Sequence, residues 1–167
     1  MAKRHSIKPA VRRETEARLR RIARAAEVFV DGDAFREFVL KPELNTGDEY
    51  LVDHGKFIAL KQALIKLKRL EPGDVGVIAW RRFKDQADLC LAVDSHPCAV
   101  RPGNHPVSPA MAEAFAGRVA VQDLEFRGHP LLGVCAPIRD SLDEVVGVVE
   151  VFASLAPERL KADCLDY

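Results

Sequence analysis

A chain of 167 residues, 48% apolar and 30% charged, has enough material for one domain with its own core. Its formal net charge is zero, so no global basic field would draw in nucleic acid. No apolar run reaches the ~18 uncharged residues of a membrane span, and no apolar h-region follows Met1, so neither a span nor a secretory leader is read.

The charges are nonetheless unevenly placed. Residues 1–25 carry nine Lys/Arg against Glu14 and Glu16, whereas 140–167 carries seven Asp/Glu against Arg159 and Lys161. Four cysteines, Cys90, Cys98, Cys135 and Cys164, form no CxxC pair. Cys90 and Cys135 fall inside apolar strand-like runs, where a free thiol behaves as a small hydrophobe.

In chain order, residues 1–9 read as a tag-like or disordered N-terminus. A helix is predicted over 10–30, with Leu19, Ile22, Ala23, Ala26, Phe29 and Val30 on one stripe. Asp31-Gly32-Asp33 interrupts it, and either aspartate suits the N-cap of a short helix bearing Phe35, Phe38 and Val39. After a loop over 42–47, a second long helix is predicted over 48–70, with Phe57, Leu60, Leu64 and Leu67 at helical spacing. Glu71-Pro72-Gly73 stops it.

Beyond Gly73 the period changes to that of strands. Runs at 75–83 and 87–94 are joined by Lys84-Asp85-Gln86 as a hairpin. The segment SHPCAVRPGNHP follows as a loop. A short helix over 108–116 has Ser108 as its cap, Pro109 in its first turn and Gly117 past its end. Strand-like runs at 119–127, 130–139 and 145–153 close the pattern, and 156–167 reads as a tail. Helices followed by about five strands predict an α+β fold with a central antiparallel sheet, the two long N-terminal helices on one face.

The last run, Val145–Ala153, is apolar on both alternate sets and so belongs at the centre of that sheet. Glu150 is its one charged exception. Pro137 cannot donate a ladder bond and marks a bulge or an edge near the end of its strand. On 75–83, Ile78, Trp80 and Arg82 share a face. On the partner strand Cys90, Ala92 and Asp94 form one alternate set. An indole, a guanidinium and a carboxylate converging on a cavity make a small-ligand pocket, while the plainer alternative is a core tryptophan beside an Arg82–Asp94 ion pair.

Catalytic chemistry finds no constellation. Asp94, Ser95 and His96 are adjacent, and neighbouring side chains on an extended segment point apart. His96, Cys98 and His105 near Cys90 match no zinc spacing, so no metal and no cofactor are implied. Phosphate-binding glycine patterns are absent from PGDVG and RPGNHP. The basic faces at 12–24 and 56–69 lack interleaved aromatics and read as solvated surface rather than a nucleic-acid groove.

Three segments carry a family resemblance: RLRRIARAAEVFVDGDAF (18–35), LIKLKRLEPGDVGVIAW (64–80) and HPLLGVCAPIRDSLDEVVGVVEV (129–151). Together they resemble the single Cache, or extracytoplasmic PAS-like, sensor domains of bacterial kinases, cyclases and chemoreceptors. The hairpin departs from that pattern, with Ser141-Leu142-Asp143-Glu144 where Asp-Gly is usual and Phe152 where a small or acidic residue often stands.

The resemblance implies a helical segment over 10–47 and a PAS-like core over 48–155. It also implies a non-catalytic, ligand-sensing role in bacterial signal transduction, with the ligand on the sheet face away from the long helices, under 95–110. Trp80, Arg82, Asp94, Cys135 and Phe126 are then the ligand-binding candidates, for a small carboxylate or amine. A homodimer contact is expected along 10–30, through Leu19 and Ile22. The membrane enters only through flanking segments. The expected location is extracytoplasmic for an excised sensor domain and cytoplasmic for a complete chain. The alternative is a cytosolic GAF/PAS-like dimerisation or protein-interaction module with no small ligand.

Overall fold

The computed structural model of the protein describes residues 7–39, 54–83, 86–93, 104–126 and 128–156. Helix α1 (Pro9–Phe29) begins on Pro9, whose fixed φ suits a first turn. It buries Leu19, Ile22, Ala23 and Ala26. The sheet takes up this stripe, and Leu19 and Ile22 are both 0% exposed. That corrects the expected dimer contact: these two side chains are core and present nothing to a second copy.

The short helix α2 (Gly32–Val39) is capped by Asp31, whose Oδ1 accepts from the Ala34 amide at 3.1 Å. Helix α3 (His54–Lys68) buries Leu60, Ala63, Leu64 and Leu67. The predicted stretch 48–53 and the side chains of Phe38, Val39 and Phe57 lie outside the described residues.

Among the described residues, six antiparallel strands form one sheet in the order β3-β2-β1-β6-β5-β4. They are β1 (Gly76–Phe83), β2 (Gln86–Val93), β3 (Asn104–Pro106), β4 (Ala120–Phe126), β5 (His129–Arg139) and β6 (Val145–Ser154). Five are the runs read in the sequence. The sixth, three residues of the presumed loop, pairs with Gln86–Asp88. As expected, β6 is central, flanked by β1 and β5, and the fold is α+β.

Alternation divides the sheet into two faces. Val77, Ala79, Leu132, Val134, Ala136, Ile138, Val149, Val151 and Ala153 form one core with α1, α2 and α3. Ile78, Trp80, Leu131, Cys135, Val148 and Phe152 form a second with α4 (Pro109–Phe115). Helix α4 starts on Ser108, whose Oγ accepts from the Met111 amide at 3.1 Å. At its other end the Arg118 amide donates to Glu113 O and the Gly117 amide to Ala114 O, both at 2.9 Å. Gly117 supplies the positive φ, +87°, that this double closure requires.

The β5–β6 hairpin explains the departures noted in its sequence. Asp143 takes φ 63°, filling the place of a turn glycine. The register passes from Ile138–Gly147 to Arg139–Val145, so Val146 is an extra residue and packs toward the α1–α3 core rather than beside Val148. Pro137 lies just before this bulge and beyond the last β4 pair, Ala120–Cys135.

Candidate functional site

Among the described residues, the sheet face opposite α1–α3 carries one buried acid. Glu150, at the centre of β6, is 3% exposed. Its backbone neighbours across the ladder are Cys135 on β5 and Ile78 on β1. Both carboxylate oxygens are engaged by side chains from diagonal positions. Trp80 Nε1 donates to Oε2 at 2.8 Å, and Gln122 Nε2 donates to Oε1 at 2.5 Å. A Cβ at Gly133 would lie 3.2 Å from Oε1 and 2.9 Å from Leu124 Cδ1, so the bare backbone there makes room for the carboxyl.

Burial pushes the Glu150 carboxyl above its ordinary range, partly opposed by the bonds from Trp80 and Gln122 and by nearby His105. The His105 ring stands edge-on to Trp80, with centroids 5.2 Å apart. Cys135 Sγ is 3.7 Å from Gln122 Nε2. Burial, with the Glu150 charge second, raises its thiol far above the usual range, which makes it a poor nucleophile. Two neutral donors leave each carboxylate oxygen with further lone-pair capacity.

Of the sequence candidates, Trp80 (4% exposed) and Cys135 (0%) lie in this face's core, and half-buried Phe126 packs against it. Arg82 is exposed at the margin, its guanidinium carbon 6.0 Å from the centre of the Phe115 ring. Asp94 lies outside the described residues, as do 95–103. In β2 the register passes from Ala79–Leu91 to Trp80–Leu89, which makes Cys90 a bulge residue. Sequence reasoning left out Gln122, weighed His105 only as a metal ligand, and noted Glu150 only as an exception. The available sign was an acid at a twice-covered position of a central strand.

No protein-family model matches the chain, and no curated protein matches it. Solved structures do. The C-terminal domain of a proposed transcriptional regulator from Vibrio cholerae aligns with TM-score 0.50 at 12% identity, over 69% of this chain and 92% of that one. The periplasmic sensory domain of the Campylobacter jejuni chemoreceptor Tlp1 aligns with TM-score 0.43 at 11% identity, over 92% of this chain and 59% of that one. The ligand-binding domain of the Pseudomonas aeruginosa amino-acid chemoreceptor PctC, in complex with GABA, aligns with TM-score 0.42 at 15% identity, over 94% and 65%. This chain thus spans about three fifths of each chemoreceptor domain's length.

Proposed function

We propose that this chain is a non-catalytic sensor domain of a bacterial signal-transduction protein. It holds a small amine- or carboxylate-bearing ligand on the sheet face covered by α4. One observation carries the reading: a carboxyl buried at the centre of that face, bonded to Trp80 and Gln122. Removing an ionised carboxylate from water costs several kcal/mol unless strong partners replace the hydration, and among the described residues two neutral donors face it. An ammonium or amine donor completes the set.

Within this reading Glu150 meets the ligand's donor, Trp80 and Phe126 pack against its body, and Cys135 forms part of the floor. Arg82 clamps a carboxylate at the margin, and Asp94 takes an ammonium or holds Arg82 in place. A thermal-shift screen of amino acids, amines and small carboxylates tests it. A ligand at a hundredfold excess over its Kd adds about 2.7 kcal/mol, or roughly 5–11 °C for a chain of this size. Glu150→Gln or Arg82→Ala should remove the shift. A hit that keeps its full shift in both variants refutes the site.

A second reading, an interaction module that dimerises through 10–30, is favoured by Val28 and Phe29 at the end of α1, 84% and 37% exposed. Sedimentation at rising concentration tests it. Association that Val28→Asp abolishes supports this reading, and a strict monomer removes it.

A further inference from the structure

Two consecutive residues at the end of β5 reach to opposite sides of the sheet. Arg139 turns toward the α4 side, where its Nη2 donates to Gly117 O at 3.2 Å. Its Nη1 donates to Asp143 O at 2.9 Å and Oδ1 at 3.2 Å, fixing the guanidinium across the turn. A Cβ on Gly117 would sit 2.6 Å from Nη2, so the guanidinium lies close against the end of α4.

Asp140 turns toward α2. Its side chain is fully buried, with Oδ1 accepting from the amides of Leu142 (3.0 Å) and Glu144 (2.9 Å). Its Oδ2 accepts from Arg36 Nη1 at 2.6 Å, and the same guanidinium bridges to Glu144. Asp33, the aspartate left over from capping α2, accepts from Ser141 N at 3.1 Å and Ser141 Oγ at 3.0 Å. Beneath them the backbones touch: a Cβ at Gly32 would lie 1.8 Å from Arg139 O. Phe35 covers Gly147 of β6, where a Cβ would lie 2.2 Å from the ring.

We propose that Arg139 and Asp140 form a relay across the sheet, coupling the position of α4 to the α1–α2 joint on the opposite face. Helix α4 lies over the face that carries Glu150. The joint, Val30 to Asp33, is where the long α1 ends. A shift of α4 pulls on Gly117, and Arg139 passes it to the turn that Asp140, Arg36 and Asp33 hold against α2. Short charge-assisted bonds and a backbone contact resist sliding, so the turn and α2 move as one body. The biological input rests on the ligand reading above, whereas the coupling itself needs no ligand.

The test is amide hydrogen exchange, read by mass spectrometry, on the full chain and three variants: Ser108→Ala, Arg139→Gln and the double variant. Ser108→Ala removes the α4 cap and should speed exchange in 109–117. Through the relay it should also speed 32–39, by at least about twofold. In the Arg139→Gln background the same cap removal should still loosen 109–117 and leave 32–39 unchanged. Met111→Ala, which loosens α4 from its buried side, must give the same pattern. Exchange in 32–39 that ignores both perturbations overturns the relay. So does an acceleration of equal size with and without Arg139, because the sheet itself would then carry the coupling. A barren ligand screen would leave these ratios as they are, and their failure would leave a ligand site standing.

Discussion

The indole of Trp80, on β1, donates its only hydrogen bond to Glu150 on β6 at 2.8 Å. Trp80 is the chain's single tryptophan, so its fluorescence reports directly on the state of that carboxyl. Burial raises the Glu150 pKa, so the folded protein keeps this proton to higher pH than the unfolded chain does. Between the ordinary glutamate value, about 4.3, and the raised one, the folded state binds more protons and loses stability as pH rises. Trp80 emission should therefore show a transition above the ordinary glutamate range that Glu150→Gln abolishes. In parallel, wild type should lose melting temperature relative to Glu150→Gln as pH rises through that window. A gain over the same window would contradict the assignment.

Asp140 and Glu144 both bind Arg36, but their environments differ. Asp140 is fully buried and also satisfies two turn amides, whereas the Glu144 side chain is 58% exposed. Asp140→Ala should cost about 2–4 kcal/mol, because it strands buried donors. Glu144→Ala should cost less than about 1 kcal/mol. Urea denaturation of the two variants checks the ratio, and equal costs would defeat it.

Gly32 is required by close approach. Alanine there would press its methyl into the Arg139 carbonyl, so Gly32→Ala should destabilise by at least ~2 kcal/mol and part α2 from the hairpin. The melting temperature should fall by at least ~4 °C. An unchanged value would show that the backbones can separate freely.

Leu19 and Ile22 serve the core. Leu19→Ala should cost about 2–5 kcal/mol with no specific effect on oligomeric state. Sedimentation and denaturant unfolding on one sample distinguish this from a contact role, for which association would change while stability held.

Much of this fold was legible because its signals are local. The period-2 runs located five strands, the apolar character of 145–152 placed β6 at the centre, and Ser108-Pro109 with Gly117 bounded α4. What the sequence concealed depends on pairing. Val146 changes face only because the β5–β6 register slips, which no alternation count shows. Asp31 and Asp33 were equivalent as caps until the hairpin claimed Asp33. Glu150 stood out as an acid in an apolar strand, but its partners lie 70 and 28 residues away in the chain. The dimer stripe on α1 failed for a related reason: an amphipathic face shows that something covers it, and here the covering surface is the chain's own sheet.

The most direct measurement of the central claim is a titration of the whole chain with amino acids, amines and small carboxylates, following Trp80 fluorescence. The sensor reading predicts that at least one class gives a saturable change that is lost in Glu150→Gln. A flat response to every class, or a saturable response that Glu150→Gln leaves intact, would contradict a ligand site on this face.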